Sequence, residues 1–430
     1  MIGVVADDIT GANDIGIMFA KSGFIVDVYS SLNTHAIREM NRRPDVLILD
    51  TDSRFDDVET AYKKVFEATR VLQSLGITQY YNKTCSVFRG NIGAEFDAML
   101  DALEEEFAVI VLGFPKNGRT TKNSTHYVHG KALEHSEFRQ DPMHPMTQSN
   151  LVDILQAQTT RKVTSITYDH IQKGPLELSQ YVNELRAEAA YAYVVLDVTE
   201  QADLKIIAQA VGHHRILCGS SALAEELARW GKSTLSSSME ISLPAHSAQG
   251  ILVAAGSLMP QTAAQIEYMR RKGLVVVALN TLDIFDKDTR ERAIAEHTRT
   301  ISEEIDRGSS VIVHSTNDDT DLVQQTKAKG MDDGLSEREV SRLVSATVAE
   351  ITYRVLLQTG QQRFIIAGGD TSAAVCHRLG IKGMTVWKEI QPGLPSCVSI
   401  SNNPMLFVLK SGSFGTADFF EKALAHLKLY

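Results

Sequence analysis

The chain has 430 residues, 43% of them hydrophobic and 22% charged, with 28 glycines and 10 prolines; this is enough for roughly two or three domains and excludes disordered, collagen-like and mucin-like classes. Lys plus Arg total 43 against 53 Asp plus Glu, a formal net charge of -10. That balance disfavours general nucleic-acid or anionic-membrane binding, which needs excess positive charge, but leaves room for a small anionic substrate in a local basic pocket.

Short β-branched runs alternate with longer amphipathic stretches. Ile2–Ala6, Asp45–Leu49, Thr78–Tyr81, Phe107–Leu112, Tyr193–Asp197 and Arg215–Cys218 read as strands separated by helices, the pattern of a parallel α/β sheet. Asp56–Leu75 illustrates the helices, with Val58, Ala61, Tyr62, Val65, Ala68, Thr69 and Leu72 at spacings of three and four. A Ser-rich stretch with Pro and Gly, Lys232–Gly250, has neither helical nor strand period and predicts a boundary between domains 1–235 and 250–430. Beyond it the rhythm restarts, with strands at Ile251–Ala255, Leu274–Leu279, Ser310–His314 and Phe364–Ala367 and helices at Gln261–Lys272 and Ser336–Gln358. Thr316–Leu335 is polar and reads as a surface connection.

The first strand runs into Asp7-Asp8-Ile9-Thr10-Gly11. Acids at the carboxyl end of a parallel strand point into the crevice where open α/β sheets bind ligands; alternatively, Asp8 or Thr10 caps a helix starting near Gly11. Gly11 and Gly16 have P-loop spacing, but Ile17 and Met18 stand where Lys and Ser or Thr are required. After the Thr78 strand, Lys83, Ser86, Arg89 and Asn91 put cations, a hydroxyl and an amide into one loop, suited to a carboxylate and sugar hydroxyls; the alternative is a solvated basic loop. Arg54 and Arg119 each follow other strands. Asp141–Met146 holds two prolines and reads as an ordered loop, and its neighbours His126, His129, His135 and His144 lack metal-site geometry. In the second half, Gly368-Gly369 turns from an apolar strand into a helix opened by Asp370, Thr371 and Ser372. Glycines admit phosphate oxygens to backbone amides, and a helix N-terminus adds positive potential; an ordinary capped turn is the alternative. Further turns at Gly256-Ser257 and Lys410–Gly415 favour a nucleotide, whereas no GxGxxG occurs.

Cys85, Cys218, Cys376 and Cys397 are far apart, so neither a disulfide framework nor a structural metal is expected. Two acids precede any apolar run long enough for a signal peptide, and no run approaches the ~20 apolar residues of a membrane span. A soluble, cytoplasmic protein is expected.

With these residues in hand, the sequence resembles the four-carbon acid sugar kinase family. The resemblance spans nearly the whole chain and rests on ADDITGAND at Ala6–Asp14, TDSR at Thr51–Arg54, RGNIG at Arg89–Gly93, DPMHPM at Asp141–Met146, AGGDTS at Ala367–Ser372 and KSGSFG at Lys410–Gly415. It implies an ATP-dependent kinase acting on threonate, erythronate or 3-oxo-tetronate. It also implies two α/β domains, each a mainly parallel sheet flanked by helices, the first for the sugar acid and the second for the nucleotide, with chemistry in the cleft between them. Carried over by position, Asp8, Arg54, Lys83 and Ser86 are substrate contacts, joined by Arg89 and Asn91, while Ser257, Gly368, Gly369, Asp370, Thr371 and Gly412 contact ATP. Many relatives have Asp-Ser-Thr where Cys85-Ser86-Val87 stands here. Asp8 is the expected base that accepts the hydroxyl proton, with Asp7 as the second choice, since adjacent strand residues point opposite ways. ATP implies Mg2+, held mainly by phosphates and water rather than by a protein cage. The competing class is a non-catalytic sugar-acid or sugar-phosphate sensor. The sugar acid and ATP are the expected partners, without nucleic acid or membrane, and a homodimer is the commonest arrangement for soluble oligomers.

Overall fold

A computed structural model describes residues 1–30, 37, 43–141, 143–231, 241–315 and 320–430. Much of the expected boundary segment (232–240), Pro142 of the Asp141–Met146 loop, and 316–319 of the polar connection lie outside the described residues. The chain divides into two compact units, Met1–Met239 and Glu240–Tyr430.

The first unit is built on a parallel sheet. Its strands are β1 (Ile2–Ala6), β2 (Val26–Ser30), β3 (Val46–Asp50), β4 (Gln79–Lys83), β5 (Ala108–Val111), β9 (Val163–Ile166), β10 (Tyr193–Leu196) and β11 (Ile216–Gly219), in spatial order 2-3-1-4-11-5-10-9. Between β5 and β9 a small antiparallel sheet joins β6 (Arg119–Lys122), β7 (Thr125–Val128) and β8 (Lys131–Ala132). Sequence reading did not separate β2, β9 or this small sheet from their surroundings. The first turn of the small sheet depends on positive φ at Asn123 (49°) and Ser124 (63°), the geometry of tight hairpins.

Helices cover the parallel sheet for the reason their spacing predicts. Val58–Ser74 is capped by Asp57, whose side chain accepts from the Thr60 N–H, and buries Ala61, Val65, Ala68, Thr69 and Leu72. A fully buried Val or Leu contributes about 1.5–3 kcal/mol, so this stripe, rather than intrinsic propensity, holds the helix down.

The second unit comprises β12 (Leu252–Ala255), β13 (Val275–Ala278), β14 (Val311–His314), β15 (Arg363–Ala367), β16 (Gly383–Gln391), β17 (Leu394–Ser399) and β18 (Leu406–Lys410), in order 13-14-12-15-18-17-16. The run from β13 to β18 is parallel, whereas β18-β17-β16 is antiparallel. The antiparallel strands β16 and β17 carry no clean alternation and were not distinguishable in sequence. Within 316–335, the expected connection, Thr320–Asp332 is helical, followed by the Glu337–Thr359 helix with its Ser336/Glu339 capping box.

In both units the strand order reverses beside an early strand, between β1 and β4 in the first and between β12 and β15 in the second. Ligands of open α/β sheets bind at such points, outside the carboxyl ends of the strands.

Candidate functional site

Ala6, Asp50 and Lys83 are register neighbours at the carboxyl ends of β1, β3 and β4, so the residues that follow them meet. Asp8 is the N-cap of the Ile9–Ala20 helix, which starts two residues before the expected Gly11. Its Oδ1 accepts from the Gly11 N–H at 2.7 Å and its Oδ2 from the Thr10 hydroxyl at 2.9 Å. Capping is only half of its work, because Arg54 Nη1 also donates to Asp8 Oδ2 at 2.6 Å. Arg54 Nε and Nη2 meanwhile fork onto the two oxygens of Asp7, each at 2.7 Å. The expectation that Asp7 and Asp8 point opposite ways fails because β1 ends at Ala6, and strand alternation ends with it.

All three charged residues are buried. Burial pushes the Asp8 carboxyl up, but Arg54, Lys83 and the hydrogen bonds from Thr10 and Gly11 outweigh it and hold Asp8 below the ordinary aspartate range. Arg54 is held in its charged form: burial opposes this, and Asp7 and Asp8 more than compensate. Lys83 is buried too; its Nζ donates to the Thr84 carbonyl at 3.0 Å and lies 3.7 Å from Asp14 Oδ2. Asp14, one turn beyond Gly11, has its carboxyl raised to about 6 by burial, against the pull of Lys83. Gly11 is required for this convergence, since a Cβ there would lie 2.5 Å from Asp8 Oδ1 and 3.0 Å from Lys83 Nζ.

The loop after β4 is buried, not solvated. Ser86 and Asn91 are each under one-tenth exposed. Arg89 Nη1 meets Asp141 Oδ2 at 2.5 Å, its Nε donates to Cys85 Sγ at 3.3 Å, and its guanidinium lies over the Phe138 ring. Arg119, at the start of β6, is fully buried and lies over the same ring. Burial raises the Cys85 thiol, but Arg89 and Arg54 outweigh it and leave it below the usual cysteine range. Asn91 uses its amide N–H groups on the carbonyls of Ser53 and Asp56, at 3.3 and 2.9 Å, so it fastens the Arg54 loop. Two residues of this neighbourhood escaped sequence reading. Glu95 accepts from the Ser53 hydroxyl at 2.7 Å and is raised to about 8 by burial and by Asp7. Asp141, which stands out in sequence only as the start of a proline loop, holds Arg89 and also accepts from the Met143 and His144 N–H groups.

Among the described residues, no three His, Cys, Asp or Glu side chains group as metal ligands. His126 is buried against Thr121, its Nδ1 3.0 Å from the hydroxyl, and His144 stacks on Phe55.

In the second unit three glycine turns close on one another. Gly368 caps the Gly369–Arg378 helix with φ 121°, so the left-handed conformation belongs to Gly368, while Gly369 is the first helical residue. A Cβ at Gly256 would lie 2.1 Å from Thr371 Oγ1, one at Gly412 2.1 Å from Ser257 Oγ, and one at Gly368 3.2 Å from the Ser257 nitrogen. Ser257, Gly368, Thr371 and Gly412 are thereby brought together at the carboxyl ends of β12, β15 and β18. Asp370 opens the helix but turns to the Ser341 hydroxyl, which donates to it at 3.2 Å. Lys410, which in sequence only opens the last of these turns, lies fully buried beneath it. A cavity of about 450 Å³ in this unit is remote from the turns: Leu274, Ser309 and Ser310 place it at the amino ends of β13 and β14.

Known proteins align along the whole chain. The family model described as the sugar-binding N-terminal domain matches residues 2–227, and that described as the nucleotide-binding C-terminal domain matches residues 252–420. A 3-oxo-tetronate kinase of Pseudomonas savastanoi pv. phaseolicola is 31% identical, covering 99% of this chain and 97% of the relative; that of Haemophilus influenzae is also 31% identical, covering 98% and 99%. Among solved structures, a Salmonella typhimurium LT2 protein superposes with a TM-score of 0.80 at 27% identity over 99% of both chains. A Haemophilus influenzae protein gives 0.72 at 29% identity, covering 99% of this chain and all of the other.

Proposed function

Since the chain belongs to the four-carbon acid sugar kinase family and is a phosphotransferase with an alcohol acceptor, we propose that it transfers the γ-phosphoryl group of ATP to a hydroxyl of D-threonate, D-erythronate or 3-oxo-tetronate. The relatives' activity favours 3-oxo-tetronate among the three. The observation that carries the reading is the buried Asp7–Arg54–Asp8 cluster with Lys83 beside it. Burying four charges is costly unless each is paired, and here they stand where a sheet of this class binds its ligand.

Phosphoryl transfer asks the protein mainly to position reactants and neutralise charge. Lys83 and Arg89 are assigned to the substrate carboxylate, and Ser86 to a hydroxyl. Asp8 Oδ2 already accepts two hydrogen bonds, while Oδ1 accepts one; a carboxylate oxygen can accept two. Asp8 Oδ1 therefore has a lone pair left to orient the attacking hydroxyl and take its proton as the new P–O bond forms. Asp7, with both oxygens in the Arg54 fork, holds Arg54 and through it Asp8. In the second domain, Ser257, Gly368, Gly369, Thr371 and Gly412 line the proposed phosphate cradle, and Asp370 adds a side chain at the helix start. Mg2+ is proposed to arrive on the ATP phosphates and to neutralise their charge there. The cytoplasm and a homodimer remain the proposed setting and assembly.

ADP release measured over a panel of four-carbon acids tests the reading. Turnover with at least one of the three, dependent on ATP, is expected. Binding of such an acid without any ADP release would favour the sensor instead.

A further inference from the structure

Lys410 is 0% exposed. Its Nζ lies within hydrogen-bonding distance of four acceptors that share its three N–H groups, the carbonyls of Ser411, Gly412 and Phe414 at 2.8, 3.0 and 3.2 Å and Thr262 Oγ1 at 3.0 Å. No carboxylate is among these partners. A buried ammonium is normally paired with an acid, so its retention here calls for a different counter-charge. The charged groups on the elements packed around it are engaged elsewhere: Glu267 with Arg270 and Arg271, Glu421 with Lys272, and Asp370 with the Ser341 hydroxyl. On the β15 side its register partner is Ala367, and the Gly368 N–H just beyond that strand donates to the Lys410 carbonyl at 2.8 Å.

The inward carbonyls have a geometric consequence. In a trans peptide the C=O and the following N–H point in opposite directions. Turning the Ser411 and Gly412 carbonyls onto Nζ therefore turns the N–H groups of Gly412 and Ser413 away from it. Among the described residues, neither N–H donates to any group of the chain. Successive outward N–H groups form an anion-binding concavity. This one lies against Ser257, whose Oγ would be 2.1 Å from a Cβ at Gly412.

We propose that Lys410 is a positioning residue of the nucleotide site, its buried ammonium gathering the loop carbonyls so that the Gly412 and Ser413 N–H groups face the phosphates, with the phosphates supplying the negative charge that the ammonium lacks. The inference rests on the assignment of ATP to the second domain. Thr262 completes the device: its hydroxyl donates to the Gly412 carbonyl at 2.9 Å while accepting from Lys410. Burial alone lowers the Lys410 ammonium to about 7. An anion arriving at the loop favours the charged form, so nucleotide binding should draw a proton onto Lys410.

The test is calorimetry of ATP binding to the full chain at about pH 8, where a lysine titrating near 7 is mostly neutral, in buffers of differing ionisation enthalpy. The wild type should take up a substantial fraction of a proton, and its ATP affinity should decline as pH rises above neutrality. Lys410→Met should stay folded by thermal melting, bind ATP about tenfold or more weakly, a loss on the scale of a charge-assisted contact, and show no proton uptake. Its affinity for the sugar acid should be unchanged. Lys410→Arg keeps a charge that does not titrate, so it should restore part of the affinity without the proton uptake. A wild type that binds ATP without proton uptake, or a folded Lys410→Met protein with wild-type ATP affinity, overturns the proposal while leaving the kinase reading intact. A wild type that binds no ATP would overturn that reading as well.

Discussion

Asp8 accepts from three hydrogen-bonding groups, and its two oxygens are not equivalent: Oδ2 is filled by Thr10 and Arg54, and Oδ1 shares its capacity with the Gly11 N–H. Asp8→Asn therefore does more than remove a charge. The amide offers one acceptor oxygen, so either the helix N–H or the Thr10 and Arg54 pair faces an NH2 group, at a cost of about 1–3 kcal/mol. We expect the variant to fold with a lower melting temperature, and kcat to fall about a hundredfold or more, the scale of lost general-base catalysis. ATP affinity should be unchanged. Normal turnover would reduce Asp8 to a cap and return the proton to Asp7 or water.

Glu95 makes a different prediction at the same scale. Its carboxyl is raised to about 8, so between the ordinary glutamate range and that value the folded protein holds a proton that the unfolded chain has released. Stability from this group is complete in acid below the unfolded value and is lost progressively as pH rises to about 8. Glu95→Gln keeps the acceptor for the Ser53 hydroxyl and removes the titration. Its stability profile from denaturant melts should be flatter across this window, with the variant gaining on the wild type toward the alkaline end. Parallel profiles would show that Glu95 is already ionised in the folded protein.

At the scale of elements, close backbone approach governs both sites. Gly368 combines a φ of 121° with a Ser257 nitrogen 3.2 Å from any added Cβ; a side chain is strained there in conformation and in space. Gly368→Val should abolish ATP binding measured by calorimetry, provided that thermal melting shows a folded protein. Retained affinity would dismiss the three-turn cradle. On the acid side, Gly11→Ala places a methyl 2.5 Å from Asp8 Oδ1 and 3.0 Å from Lys83 Nζ. The helix itself tolerates alanine, so the expected defect is a raised KM for the acid, not unfolding. An unchanged KM would mean that Asp8 and Lys83 shift apart without consequence for the substrate.

At the scale of the whole molecule, the proposed function gives the two units separate ligand sets. Lys83→Ala should raise KM for the acid and leave ATP affinity as it was, whereas Gly368→Val should leave acid binding as it was while activity vanishes. Equal loss of ATP affinity in Lys83→Ala would move this lysine from the carboxylate to the phosphates. The same separation explains what sequence alone could determine. The strands that begin each unit, the Val58–Ser74 helix and the glycine turns are local: each is written in a short run of residues whose period or backbone freedom admits one reading. Strand β2 is illegible because its pairing is chosen by β3, well beyond it in the chain, whereas β16 and β17, neighbours in sequence as in the sheet, are illegible because neither alternates buried and open positions. The motifs pick out the residues of the candidate site, but not its wiring. That Arg54 clamps both Asp7 and Asp8, that Asn91 and Glu95 fasten the Arg54 loop, and that Lys410 underlies a turn without an acid beside it were decided only by tertiary structure, because a charge's role depends on which partners burial brings within hydrogen-bonding distance, and sequence spacing does not encode those partners.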